Sequence, residues 1–497
     1  MNNPTFPFLC FLMGCILFSC NGFLDDPQPT DQLPITQVFE TGSDLEAALV
    51  GAYDLIQDGD AMGGLIPALP DLMAYNAKGW FEEVSTLQME PTYWVTENLW
   101  TQCYRAINQV NAILQALPDV VVQDAAFREE DAHRIEGEAR FIRGVLYFEL
   151  VRLYALPYGD GFLEKPGVPL MLEPVLAKQD IGFPARATVG KVYGQVLQDL
   201  EKAKDLLPET NARGRATQFA AMAYLARLAF QQRDYEKAAS LAGDILARED
   251  LFQLTETPQD FFIQEGSMEE IWVIVGSGES DPIVGGLSSV YNDAPETAGI
   301  TDDLKENGYA ALLTEDQRQG IQNAGYQFVD LRCDPANLYS GGNLLVLGDT
   351  ARCNKYENSW LPGEDDAPTV RLAEMMLMRA EALARTQGIN AESIDLINKI
   401  RRRSMRVLDE NGVLVPVSDS LISFKAADFI DMEALCEAII RERRVELAFD
   451  GNYFHDLMRL QREVLNNGKV YSYQDNKLRL PIPQREVDAN PNLEQNP

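Results

Sequence analysis

The sequence predicts a mainly α-helical protein, in which antiparallel helix pairs form a scaffold and a loop-rich irregular half carries a few short strands. Three observations predict it. Apolar residues recur at three-to-four spacing through most of residues 43–248, again in 367–404, and in a last helix from about Met432 to Phe449. The stretch "AMAYLARLAFQQRDYEKAASLAGDIL" (221–246) reads as helix, tight polar turn, helix. Between 249 and 366 the periodicity fades, and Gly, Asn, Asp and Pro become frequent.

Taken in order, the chain opens with an apolar run from Phe6 to Phe18. A run of ~13 residues is too short for the ~20 that span a bilayer and suits the apolar region of an export signal. The residues Leu17, Phe18 and Ser19 before Cys20 resemble a lipobox, so cleavage would leave the Cys20 thiol to carry a lipid anchor. Residues 1–19 are therefore read as a lipoprotein signal peptide, and 20–42 as the lipidated Cys and its leader. Against this, "MNNPTFP" lacks Lys and Arg, and Leu12–Met13–Gly14–Cys15 offers a second site. Cleavage there would leave "ILF" exposed, so Cys20 is preferred; a plain cleaved signal is the alternative. No later stretch is long and apolar enough to span a membrane.

The first helical block, 43–248, opens with "SDLE", where Ser43 and Glu46 have capping-box spacing. Leu45, Ala48, Leu49, Ala52 and Ile56 follow on one face. Further helices are predicted at about 96–117, 127–155, 188–207, 216–231 and 234–248. The pair at 216–248 resembles a tetratricopeptide repeat: Leu225, Ala226 and Ala238 fit it, whereas Ala229 replaces a usual large residue. Residues 249–366 form the irregular region, with "IWVIV" (271–275) as a buried strand and "NLLVL" (343–347) as a short one. A second helical pair occupies 367–404, an irregular insert 405–430, and a C-terminal helix and tail 431–497, the helix stopping at Asp450–Gly451.

Composition narrows the function. With 76 acidic and 42 basic residues the formal charge is −34, which opposes nucleic acid, where cations must neutralise phosphates. Cys103, Cys333, Cys353 and Cys436 remain after the leader, and Cys333–Cys353 is the best-placed disulfide because both lie in the loop-rich region. Two histidines, His133 and His455, show no metal-binding spacing. No G-x-S-x-G elbow and no phosphate-cradling Gly loop occur. A glycosidase would need two facing carboxylates, but so many acids always supply a pair, and "EDD" (364–366) reads as solvated loop charge. No catalytic residue, metal site or cofactor is therefore assigned; acidic loops would suit Ca²⁺, but no EF-hand-like spacing supports it. Arg441, Glu442, Arg443, Arg444 and Glu446 read as helix-surface and inter-element ion pairs rather than as a reactive cluster.

Several stretches together resemble the SusD/RagB family of Bacteroidetes surface lipoproteins. They are Cys20 with "FLDDPQPT", "EGEARFIRGVLYFELVRLYALPYG" (136–159), "AEMMLMRAEAL", "RERRVELAFDGNYFHDLMR" (441–459) and the tail "LRLPIPQREVDANPNLEQNP". They are spread in order over nearly the whole chain. One departure is "NYFHDL", where the family more often has Arg-Trp-Phe-Asp-Leu. The resemblance implies a non-enzymatic nutrient-binding protein, anchored by lipid to the outer face of the outer membrane. It would cap a TonB-dependent transporter of the SusC type. Family members commonly bind oligosaccharides, and some bind peptides or other nutrients. A helical-repeat adaptor needed for transporter assembly, without its own ligand, is the alternative.

A sugar site needs aromatic faces beside amides and carboxylates. The stretch 71–94 offers Asp71, Tyr75, Asn76, Trp80, Tyr93 and Trp94, in a place where ligand loops often lie in this family. The loop-rich half offers Trp360, near Tyr356 and Asn358, with Tyr291, Tyr309, Tyr326 and Tyr339 as weaker candidates. Trp100, four residues before Tyr104, and Trp272 are predicted to be core.

Overall fold

The structure is a computed structural model that describes residues 39–78, 81–276, 286–292, 299–333, 344–347, 350–353, 355–356 and 366–497. Cys20 and the leader up to residue 38, Trp80, Asn358, Trp360 and Tyr339 lie outside the described residues. The main helices of the first block are α1 (Gly42–Gln57), α2 (Leu65–Met73), α3 (Trp94–Gln123), α4 (Glu129–Tyr154), α5 (Val189–Leu206), α6 (Gln218–Gln231) and α7 (Tyr235–Leu246). Strands β1 (Glu270–Ile274), β2 (Gln327–Asp330), β3 (Leu344–Leu347), β4 (Thr350–Cys353) and β5 (Ala367–Arg371) follow. Then come α8 (Leu372–Gln387), α9 (Ala391–Ser404), β6 (Met405–Leu408), β7 (Leu414–Pro416), α10 (Met432–Glu446) and α11 (Tyr453–Arg459). The fold is mainly helical, as its periodicity requires.

The apolar stripes do what their spacing dictates. Ile135, Ala139, Ile142, Leu146, Leu150 and Leu153 of α4 are buried, as are Val189, Val192, Val196, Leu200 and Ala203 of α5. Burying such a side chain contributes about 1.5–3 kcal/mol relative to leaving it exposed. The two helices lie very close: a Cβ at Gly137 would stand 2.9 Å from Leu207 Cγ, so a larger residue would push them apart. Trp100 and Trp272 are both in the core, Trp100 against Tyr104 at 4.8 Å between ring centroids.

Two local details differ from expectation. The capping box of α1 sits two residues earlier, at Thr41 and Asp44, with Asp44 Oδ2 accepting from Thr41 N at 2.8 Å. Glu46 is thereby released to accept from Arg134 (2.6 Å) and Arg215 (2.8 Å), which ties α1 to α4 and to the loop before α6. Helix α3 also runs past Pro118 to Gln123 instead of ending at 117. A proline removes one donor, but the surrounding packing of Leu117 and Val120 holds the last turn in place.

The second helical pair does not stand apart. Helix α8 packs on α7, and α9 packs on α8, so pairs distant in sequence stack as consecutive layers. Two strands flank this pair and hold the intervening region against it. β5 leads directly into α8 and pairs antiparallel with β1; β6 leaves α9 and pairs antiparallel with β2, and β7 completes that sheet. Strands β3 and β4 form a separate antiparallel hairpin. A second apolar cluster, including Leu377, Ile397 and Ile439, fills the space between α8, α9 and α10.

Two further expectations are corrected. Cys353 is a buried free thiol and is not joined to Cys333; burial pushes its pKa up to about 12. The 442–446 charges make the inter-element ion pairs expected of them, but not at a helix surface: Glu442, Arg443, Arg444 and Glu446 are buried, and only Arg441 is exposed. Asp366, the last acid of "EDD", is also engaged: it pairs with Arg213 and accepts from Gly276 N at 3.0 Å.

Candidate functional site

Glu446, at the end of α10, meets Arg371 at 2.7 Å, Arg332 at 3.3 Å and Arg403. Glu269 bridges Arg371 (2.9 Å) and Arg403 (2.5 Å). Glu442 receives Arg332 (2.6 Å) and Arg401 (3.0 Å), and Asp450 receives Lys355 (2.9 Å) and Arg371 (3.0 Å). Burial opposes ionisation of Glu446, yet Arg403, Arg371 and Arg332 hold its carboxyl well below the usual carboxylate range. Every one of these side chains is buried. The cluster joins β1, β5, α9 and α10, and Lys355 and Asp450 among its members border cavities. It is a structural hub.

Asp71 and Asn76 belong to the same interior. Asp71 Oδ1 accepts from Asn76 Nδ2 at 2.7 Å, and Oδ2 accepts from Gly451 N at 2.8 Å. Asn76 Oδ1 in turn accepts from Arg444 Nε at 3.0 Å. These bonds fasten the end of α2 to the turn after α10. That turn requires glycine: Gly451 has φ +76°, and a Cβ there would stand 2.7 Å from the Pro67 carbonyl oxygen. Burial pushes the Asp71 carboxyl up to about 6. Tyr356 is likewise inside, its hydroxyl donating to Phe449 O at 3.1 Å, and Tyr291 and Tyr309 are buried. His455 is buried and held neutral, by burial first and then by Arg152 and Arg227.

The surface candidates are different. Tyr75 is half-buried at a positive φ of 56°, and its hydroxyl donates to Asn467 Oδ1 at 3.3 Å. Tyr93 is half-buried, and burial together with the Glu83 carboxylate holds its hydroxyl above the usual phenol range. Trp94 begins α3 and is 48% exposed. Among the described residues it is the one tryptophan at the surface. The Phe81 ring meets Trp94 edge-on at 5.8 Å, and Tyr93 lies at 6.1 Å. Glu83, Gln88, Glu90 and Thr92 are exposed on the same segment. The result is an aromatic ledge, braced by Phe81, with the Glu83 carboxylate beside Tyr93. Phe81 and Glu83 carried no assignment in the sequence; their only signal was proximity to Trp94. Among the described residues no ring contact joins Tyr75 to this ledge. No described group of His, Cys, Asp and Glu could hold a metal ion, and no described helix is long and apolar enough to cross a membrane.

Comparison with known proteins identifies the lineage. Residues 22–230 match the family model SusD-like_3, described as starch-binding associating with outer membrane, and residues 352–497 match the SusD family model. A curated relative, SusD-like protein P2 of Formosa agariphila, is 24% identical over 94% of this chain and 94% of its own. A crystal structure of a SusD superfamily protein from Bacteroides fragilis superposes with a TM-score of 0.75 at 22% identity, covering 92% of this chain and 100% of that one. A laminarin-binding SusD-like protein superposes with a TM-score of 0.65 at 22% identity, covering 92% and 100%. With both ends of the chain matched in order and the fold shared throughout, the chain belongs to the SusD/RagB family.

Proposed function

We propose that this protein is a surface lipoprotein that binds a glycan and hands it to a TonB-dependent outer-membrane transporter of the SusC type. The carrying observation is the exposed Trp94 ledge: a tryptophan face half open to solvent on a rigid helix start, where a buried position would be ordinary for so large a side chain. A pyranose presents an apolar face to such a ring, and its hydroxyls would meet Glu83, Gln88 and Thr92. The family description, association with the outer membrane, supports the location, and Cys20 supplies the anchor in this reading. A lipid tether would hold the binding lid near its channel and raise its effective concentration there. Recognition and handover need no bond chemistry. Trp80 and Trp360 join Trp94 as proposed contacts.

The test is an array of neutral and acidic glycans and peptides probed with the purified protein, with catalytic products assayed in the same wells. Saturable binding of a glycan without turnover, lost in Trp94→Ala, supports the reading. Binding to nothing, with co-purification of the transporter retained, would shift it to an assembly adaptor.

A further inference from the structure

A second feature lies between the 87–91 loop and the tail. A cavity of about 400 Å³ opens there, lined by Gln88, Asn476, Lys477, Arg479, Gln495 and Asn496; Glu90 and Pro497 also border it. Gln495 and Asn496 have fixed positions, since Gln495 brackets Ile482 N and O, and Asn496 donates to Tyr154 O at 3.0 Å and to Leu480 O at 2.8 Å. Arg479 is different. Its Nε is buried without a hydrogen-bond partner, and among the described residues it makes no ion pair; the Asp475 carboxylate acts on it only from further away.

Behind it lies Arg186, whose guanidinium donates only to neutral acceptors: Gly167 O (2.7 Å), Asn496 Oδ1 (2.8 Å), Tyr154 O (3.2 Å), Pro166 O (3.2 Å) and Glu494 O (3.3 Å). Burial, and then the charge of Arg479, bring Arg186 down to about 10. Among the described residues, two neighbouring cations with no carboxylate at ion-pairing distance, Asp475 and Glu494 acting on them only from further away, are unexpected in a chain with 76 acids and 42 bases, where the hub arginines each find one. A buried donor left unmade is costly, and a planar guanidinium takes a carboxylate or sulfate as its best partner.

We propose that this cavity binds an oxyanionic group, a carboxylate or a sulfate, with Arg479 as its principal donor and Lys477 at its rim. The group can arrive as a free ion or on an acidic sugar. The protein's overall negative charge repels polyanions at distance, so a single anionic group fits better than a densely charged chain. The site does not depend on the Trp94 reading, because an inorganic ion alone can test it.

Sodium sulfate, galacturonate and neutral galactose should be titrated calorimetrically into the purified protein at constant ionic strength set with chloride. Saturable binding of sulfate or galacturonate, absent for galactose, is expected, and Arg479→Gln should weaken it by about tenfold or more. Sulfate alone would mark a free-ion site; galacturonate tighter than sulfate would mark an acidic-sugar site. No saturation by either anion, or unchanged affinity in a folded Arg479→Gln, overturns the proposal. Should that variant not fold, the Arg479 Nε–H resonance of the wild type decides: it must shift saturably with the anion, and its failure to move overturns the site.

Discussion

The hub beneath α10 and the cavity beside the tail both gather arginines, buried in the hub and half-buried at the tail, but they treat the charge in opposite ways. In the hub, Arg401 meets one carboxylate, Arg403 two, and Arg332 and Arg371 three each. At the tail, Arg186 and Arg479 meet carbonyls, an amide or nothing. A compensated buried charge is spent on structure, since removing either partner strands the other. An uncompensated one remains available to a ligand. Asp71 provides the mirror case, a buried carboxylate with an amide and a backbone N–H but, among the described residues, no cation within ion-pairing distance.

The sharpest way to break this comparison is Glu446→Gln. The change is nearly isosteric but leaves three guanidiniums short of a charge, so chemical denaturation should show a loss of about 3–5 kcal/mol. Because the folded-state pKa of Glu446 is lowered, its contribution is present above the unfolded value and disappears as pH falls through that range. The wild-type advantage over Glu446→Gln should therefore shrink below about pH 4.5.

Asp71 should behave with the opposite sign. Its folded pKa is raised from 3.8 to about 6, so the native state holds the proton more tightly than the unfolded chain. Stability from this group is full below about pH 4 and declines as pH rises to about 6, a change of about 3 kcal/mol. Relative to Asp71→Asn, the wild type should gain stability as pH falls from 6 to 4. Parallel pH profiles for the Asp71 and Glu446 variants would show that the two carboxylates are not distinguished by their cations.

At the surface, Trp94→Ala should weaken glycan affinity by about five- to tenfold, roughly the 1 kcal/mol of a lost aromatic contact. Its melting temperature should hardly move, since the ring is half exposed. Smallest of all, Arg479→Gln should alter stability by no more than about 0.5 kcal/mol in the absence of anion. A loss as large as that of Glu446→Gln would place Arg479 with the structural arginines.

Much of the helical scaffold was legible because a stripe at three-to-four spacing has one way to be buried. Ile135, Ile142 and Leu146 face the core for that reason alone. The pairing of β1 with β5 and of β2 with β6 was not legible, because each joins residues about 80–100 positions apart and nothing local selects the partner. The candidate site divides along the same line. That Trp94 is large and aromatic is evident in the chain; that it is exposed while Trp100, six residues on, is buried follows from which face of α3 meets α1 and α4.

By itself, the sequence determined the helical class, the lineage carried by its ordered motifs, and the segment where an aromatic surface could arise. Tertiary structure alone decided which charges are compensated. Asp71, Asn76 and the 442–446 charges look like surface chemistry in the chain, yet their partners at Gly451, Arg444, Arg371 and Arg403 draw them inside. Arg186 and Arg479 look ordinary in the chain and become distinctive only because folding brings them together with, among the described residues, no carboxylate at ion-pairing distance. The physical reason is that Coulomb partners and desolvation depend on distances in space, and residues hundreds of positions apart set those distances.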